Sequence, residues 1–529
     1  MSAFQQLLDH SQKVSHFEHL SAIVGWDQAA VMPSGGAEAR SNAMAELSVH
    51  IHSLMTQPQL GDLFAKAEQE NLSVEQSAVL REMKRDWQQA NLLPESLVQA
   101  QSLAGSKCEH AWRTQRGNND WQGFEKNWAE VVTLSREEAQ IRAEAKGVSA
   151  YDAMLDIYEP GTTTASLDQL FSDVKTWLPS MIDQAIEKQA SGQIQLPNGH
   201  YPAEKQKALG LDVMKLLQFD FEHGRLDESV HPFCGGVPSD VRITTRYDEK
   251  EFVQSLMGIV HETGHARYEQ GLPKAFAGTS AGQARSMGIH ESQSLFFEMQ
   301  LGRSPAFVDH LAQLATNYFQ GNEFKADNLA KIYTRVEKGY IRVDADELTY
   351  PAHVILRYEI ERDLMNGVIK HTDVPELWNE KMKSYLGLST EGNYKNGCMQ
   401  DIHWTEVNRT LITNLQTIEN KNKNKVTANH NYRDGCMQDI HWCTGSFGYF
   451  PSYTLGAMYA AQFMAAMKKT INVDAIIRSG DLTAIFTWLQ ENIWIKGSLL
   501  STDELVKQAT GETLNPIHFK EHLRSRYLC

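Results

Sequence analysis

Residues 249–271 read EKEFVQSLMGIVHETGHARYEQG, and His261-Glu262-Thr263-Gly264-His265 within them has the form H-E-x-x-H. In a helix, residues four apart share a face, so both imidazoles reach one metal ion there. The surrounding residues supply the helix. Asp248 with Glu251 three residues on resembles a capping box, while Phe252, Leu256, Ile259 and Val260 make an apolar stripe and Gly271 with Pro273 makes a stop. The expected helix runs from about Glu249 to Gln270. Gly264 weakens a helix interior by about 1 kcal/mol, which suggests close approach of another backbone at that point.

A catalytic zinc needs a third protein ligand and an open position, so a second helix must bring a carboxylate or histidine to His261 and His265. Glu291 is the best candidate. It lies 26 residues beyond His265 in HESQSLFFE, 290–298, a segment with helical apolar spacing that ends near Gly302. Glu298, seven residues on and on a similar face, is the rival ligand or a partner of one of the histidines. His290 points elsewhere and is either such a partner or packing. Glu262, on the same turn as His261, is placed to take a proton from water and pass it on.

The rest of the chain bounds the setting. At 529 residues it exceeds one ordinary core, which implies sub-domains around a cleft. Helical spacing recurs at 65–90, 120–147 and 352–366, and strand-like alternation is clearest at 240–246, where Val241 and Ile243 face inward and the polar residues outward. The fold class is therefore mainly α with a small β-sheet. A formal charge of −16 repels a phosphate backbone and excludes nucleic acid as the expected partner. The amino terminus spaces its apolar residues like an amphipathic helix and lacks a basic, apolar leader, and the six cysteines form no C-x-x-C pair. A cytoplasmic protein with reduced thiols is expected. The charge-free stretch 445–467 contains Pro451, Gln462 and several tyrosines, and reads as a buried loop and helix rather than a membrane span.

One anomaly interrupts the chain. NYKNGCMQDIHW at 393–404 recurs as NYRDGCMQDIHW at 431–442, with an Asn- and Lys-rich stretch between them. Residues 398–435 read as a duplicated or inserted segment inside a single catalytic domain, 1–529.

HETGH and HESQS, together with DVRIT at 240–244, IRVDAD at 341–346, GCMQDIHW, FGYFPSYTLG at 447–456 and Gly25-Trp26-Asp27 with PSGGAEAR at 33–40, occur in the order found in the carboxypeptidase Taq family. Nearly the whole chain resembles that family. The resemblance implies a helical homodimer with a long deep cleft, similar in structure to the neurolysin-like oligopeptidases. It implies release of single carboxy-terminal residues from peptides with broad side-chain tolerance, by one zinc ion per chain with cobalt also accepted. It further implies His261, His265 and Glu291 as ligands, Glu262 as base, and His441, Tyr449 and Tyr453 near the cleft, where they are candidate donors to the tetrahedral oxyanion.

The family motif occurs once, followed directly by the tyrosine segment. Here only the second copy runs on into it, so the second copy is expected to fill the site. A carboxypeptidase needs a cation for the substrate's terminal carboxylate; Arg342 is the first candidate and Arg357 the second, each with an ion pair to Asp344, Asp346 or Glu359 as its alternative role. The strand bearing Asp240, Arg242 and Thr244 is a candidate for edge-to-edge binding of the peptide backbone. The competing functional readings are an endo-acting or dipeptide-releasing peptidase and an inactive peptide-binding homologue.

Overall fold

The computed structural model of the chain describes residues 1–229, 232–399 and 441–529. Helices dominate, as the periodicity implies. The segment 120–147 holds a helix Trp121–Lys146, opened by Asp120, which accepts the Gly123 N–H at 2.9 Å, and closed by Gly147 at a left-handed φ of 68°. The segment 65–90 divides instead into Gln59–Ala67 and Val74–Leu92, because Ser73 and Gln76 form a reciprocal capping box that starts a new helix. Residues 352–366 lie in Tyr350–Met365. The charge-free stretch becomes a loop and a buried helix, Pro451–Lys468. Among the described residues no helix is long and apolar enough to cross a membrane, and the five described cysteines are free.

The motif helix runs from Val253 to Gly271, starting later than the capping-box pattern implies. Asp248 and Glu251 form an isolated bridge, and the Glu251 carboxylate accepts the N–H groups of Val253 at 2.6 Å and Gln254 at 3.0 Å. The acid therefore caps the helix from just outside it.

The sheet has three strands, β1 (Gly224–Glu228), β2 (Phe233–Val237) and β3 (Asp240–Thr245), in the order β1-β3-β2. β3 is parallel to β1 and antiparallel to β2. Val241 and Ile243 pack with Leu226, Ile259 and Ala266, which fastens the sheet to the back of the motif helix. Thr244 departs from the expected outward orientation. It is buried because its hydroxyl is paired with that of Ser229 at 2.7 Å and accepts the Phe233 N–H at 3.1 Å.

The main core wraps the motif helix, the Met287–Leu295 helix and the Pro451–Lys468 helix, while separate small cores hold the N-terminal helices Ala3–Ala30 and Ala37–Met55. Between these bodies lies a cleft of about 2900 Å³, walled by His16, His19 and Trp26 on one side and by β2, Gly258 and Glu269 on the other.

Candidate metal centre

The centre is assembled where the motif helix crosses the Met287–Leu295 helix. A methyl group built on Gly264 would lie 2.5 Å from the Gln293 carbonyl oxygen and 2.6 Å from Ser294 Cα, so only glycine permits this approach. On the far side, a Cβ on Gly456 would lie 2.8 Å from Glu291 Cγ. The ligand helix is thus clamped between two glycines, and Glu159 holds its first turn by accepting the Gly288 N–H. The outcome is convergence: one donor atom from each of His261, His265 and Glu291 lies within 4.8 Å of the others, and His265 Nε2 is 3.4 Å from Glu291 Oε2. The three side chains keep 22%, 14% and 14% of their exposure, so solvent reaches the group.

The outer nitrogens of the two imidazoles are already engaged. Glu298 Oε2 lies 2.8 Å from His261 Nδ1 and, as a carboxylate, accepts from it. Glu269 Oε1 accepts from His290 Nε2 at 2.8 Å, and His290 Nδ1 pairs with His265 Nδ1 at 2.7 Å. His265 then presents Nε2 to Glu291 Oε2 at 3.4 Å, and the His261 nitrogen not engaged by Glu298 is the one open to a shared ion. Two oriented imidazoles, one carboxylate and access for solvent suit a divalent ion such as zinc. Burial pushes the Glu262 carboxyl up to about 7, with Glu291 and Glu298 adding to the rise and His261 and His290 opposing it. Gly258 and Glu269, which flank Glu262 and His265 along the helix, line the cleft.

Beyond Glu291 stands a cluster of rings and cations. Tyr453 is one turn before Gly456 on the Pro451–Lys468 helix, its ring 5.2 Å from that of Tyr449, and burial together with the nearby Glu291 charge pushes the Tyr449 hydroxyl well above the usual phenol range. His441 sits 4.8 Å from the Tyr449 ring, and Arg342 lies over the rings of Tyr453 at 4.9 Å and Phe450 at 5.4 Å. Arg342 donates to the Tyr350 hydroxyl. Arg342 is itself buried, while Ile341, Val343 and Asp344 on either side of it line the cleft.

The model of the carboxypeptidase Taq (M32) metallopeptidases matches residues 6–408 and 420–527. The chain belongs to that family. Carboxypeptidase 1 of Bacillus subtilis is 32% identical over 529 residues, spanning 99% of this chain and 97% of the relative. Thermostable carboxypeptidase 1 of Thermus thermophilus is also 32% identical, over 99% and 98% of the two chains. The solved structure of Trypanosoma cruzi metallocarboxypeptidase 1 superposes with a TM-score of 0.91 at 44% identity, covering 100% of this chain and 99% of that one. The chain is a metallocarboxypeptidase.

In this M32 carboxypeptidase several sequence candidates take other positions than expected. β3 is the central strand, with both edges occupied by β1 and β2, so it cannot bind a peptide edge to edge. Asp240 and Arg242 bind each other at 2.7 Å, and Arg242 stacks on Trp26 of the N-terminal helix at 4.6 Å. Arg357 is fully buried; it donates to the His353 carbonyl at 2.7 Å and lies on Trp378. Glu359, one of the acids expected beside it, is held by Lys175 and Lys381, each at 2.5 Å.

Both copies of the repeated motif reach the core in this carboxypeptidase. Met399 of the first copy accepts the Trp112 indole N–H at 2.8 Å, and Trp442 of the second stacks on Trp128 at 5.6 Å. Residues 400–440 lie outside the described residues. His441 and Trp442, which lead into the tyrosine segment, belong to the second copy. Sequence reasoning missed Glu361, a buried carboxylate that accepts Tyr151 Oη at 2.9 Å, Trp442 Nε1 at 2.6 Å and Gly448 N–H at 3.0 Å. It also missed Tyr350 and Tyr158, whose ring meets Tyr449 at 5.1 Å. No local pattern marks any of the three.

Proposed function

We propose that the chain removes single residues from the free carboxyl termini of peptides, with one zinc ion held by His261, His265 and Glu291 and with Glu262 as general base. The observation that carries this reading is the convergence of the three donor atoms within 4.8 Å beside a buried carboxylate on the same helix. A bound zinc ion supplies Lewis acidity, polarising the scissile carbonyl and acidifying water. Glu262, with a pKa lifted by burial to about 7, takes the proton of the attacking water and delivers it to the leaving nitrogen. Tyr449, Tyr453 and His441 stand on the Glu291 side, where hydroxyl and imidazole donors stabilise the tetrahedral oxyanion.

The terminal carboxylate goes to Arg342, whose guanidinium is oriented by the Tyr350 hydroxyl and the surrounding rings. Broad tolerance fits backbone recognition. The edge of β2 that faces away from β3 pairs with no strand among the described residues, and Phe233 to Val237 line the cleft, so an extended peptide adds there through its main chain. Asp240, Arg242 and Thr244 then act by holding β2 and the N-terminal helix in place. We also read the protein as a homodimer that accepts cobalt in place of zinc, on the strength of the family resemblance, and as cytoplasmic, on the absence of disulfides among its described cysteines.

The test is a pair of otherwise identical peptides, one with a free and one with an amidated terminus. The wild type cleaves the free acid about 10²-fold faster or more, the scale of one charge-assisted clamp, and Arg342→Met erases most of that difference. Equal cleavage of both peptides by the wild type assigns the chain to endo-acting peptidases instead.

The repeat yields a second expectation. Residues 398–405 and 436–443 begin with the same seven residues, CMQDIHW, so deleting 398–435 leaves one uninterrupted motif joined to the tyrosine segment. We expect this variant to fold and to retain kcat/KM within about threefold of wild type, because the restored motif keeps His441 and Trp442 joined to the tyrosine segment. Loss of activity in a folded deletion variant shows that the segment is required.

A further inference from the structure

We infer that the last helix, Ile517–Tyr527, is a positioning element for the metal ligand His261, acting through a buried chain of charges formed by Glu347, Arg303 and Glu298. The inference rests on the metal reading above and concerns residues that reading does not use.

The chain begins at His261, whose Nδ1 donates to Glu298. A lone buried carboxylate is costly and free to turn, so something must neutralise and orient it. Arg303 does both: its Nη2 donates to Glu298 Oε1 at 2.5 Å, and its Nη1 to the Tyr333 carbonyl at 3.0 Å. The local backbone makes this contact available. Residues Phe296–Gly302 form a π-helix, and the Arg303 N–H bonds the Glu298 carbonyl at 3.0 Å, five residues back. In a continuous α-helix those two side chains would diverge by about 140°; the wider turn stacks them.

Arg303 in turn lies within electrostatic reach of Glu347 and Tyr527, both of them buried. Glu347 is 4% exposed and accepts Tyr527 Oη at 2.9 Å, Arg526 Nη1 at 2.9 Å and His522 Nε2 at 2.6 Å, all from the last helix. Arg526 also donates to the Met299 carbonyl at 2.5 Å, inside the π-helix and next to Glu298. The last helix therefore acts on the Glu298 segment twice, once by the hydrogen bond of Arg526 to the Met299 carbonyl and once by charge, through Glu347 and Arg303. Glu347 adds a second negative charge near Arg303, and Arg303 binds Glu298, the carboxylate that fixes the His261 ring. Groups that orient a ligand histidine commonly change metal affinity 10- to 100-fold when removed.

The experiment measures the zinc dissociation constant of the full chain by competition with a chromogenic chelator, alongside thermal unfolding of the metal-free protein. Arg526→Met weakens zinc binding about 10- to 100-fold, Arg526→Lys restores most of the affinity, and Tyr527→Phe, a milder change, weakens it several-fold. The matched control is Arg142→Met, which breaks the equally buried Arg142–Glu138 pair at 2.8 Å in the Trp121–Lys146 helix. It lowers the unfolding temperature without changing zinc affinity. Wild-type affinity in both Arg526→Met and Tyr527→Phe, or an equal loss in Arg142→Met, overturns the inference. Should Arg526→Met fail to fold, Tyr527→Phe decides alone. Absence of zinc binding by the wild type would instead sink the metal reading itself.

Discussion

Glu262→Gln loses about 10²- to 10⁴-fold in kcat, the usual contribution of a general base, while its zinc affinity stays close to that of the wild type. The amide matches the carboxylate in size and still accepts a hydrogen bond, but it cannot take a proton from water or return one to the leaving nitrogen. In the proposed reading the metal is held elsewhere, by the donor atoms of His261, His265 and Glu291, so removing the Glu262 charge leaves all three in place. Loss of a like charge beside Glu291 and Glu298 also relieves the repulsion that helps lift Glu262 to about 7. Single-turnover kinetics with a blocked dipeptide and elemental analysis of the same sample check both halves. Activity within tenfold of wild type would remove Glu262 from its role.

Gly264→Ala acts on the frame that brings the ligands together. The added methyl meets backbone atoms of the ligand helix at 2.5 and 2.6 Å, and backbone cannot rotate away as a side chain can. The two helices must separate by the better part of an ångström, against a main core packed on both sides. We expect destabilisation on the order of 3 kcal/mol and zinc affinity reduced at least 10- to 100-fold, because Glu291 moves with its helix. Denaturant unfolding and chelator competition measure the two effects separately. A variant with wild-type stability and affinity would show that the helices tolerate the gap, and with it that the glycine contact does not set the ligand geometry.

The convergence of His261, His265 and Glu291 beside Glu262 was legible because each signal is local. The imidazoles four apart mark a helix face, Gly264 marks a contact, and Glu291 falls in the next segment with helical spacing. The ambiguity at Glu298 had a physical source: seven residues on from Glu291 it shares a face in any α-helix, and only the π-helix beginning at Phe296 shows that it serves His261 instead. The start of the motif helix was misjudged because Glu251 caps Val253 and Gln254 through its side chain from outside the helix, whereas the pattern Asp248 to Glu251 mimics a cap from within.

Other features had no signature to read. β3 shows the right alternation, yet its place between β1 and β2 depends on partners it meets only in the folded sheet. Glu159, Glu361, Arg303 and Tyr350 act through contacts with residues far away in the chain or through a backbone irregularity, and a single sequence carries no periodicity for such contacts. The electrostatic layer around the site is therefore visible only in three dimensions, while the ligands themselves are written along one helix and its successor.

The most direct measurement is a zinc titration of chelator-stripped protein followed by carboxypeptidase activity. The account predicts that stripped protein is inactive, that activity rises in proportion to added zinc and levels off at one ion per chain, and that Glu291→Ala shows neither the tight binding nor the recovery. Activity that survives complete stripping, or a Glu291→Ala variant that titrates as the wild type does, would contradict it.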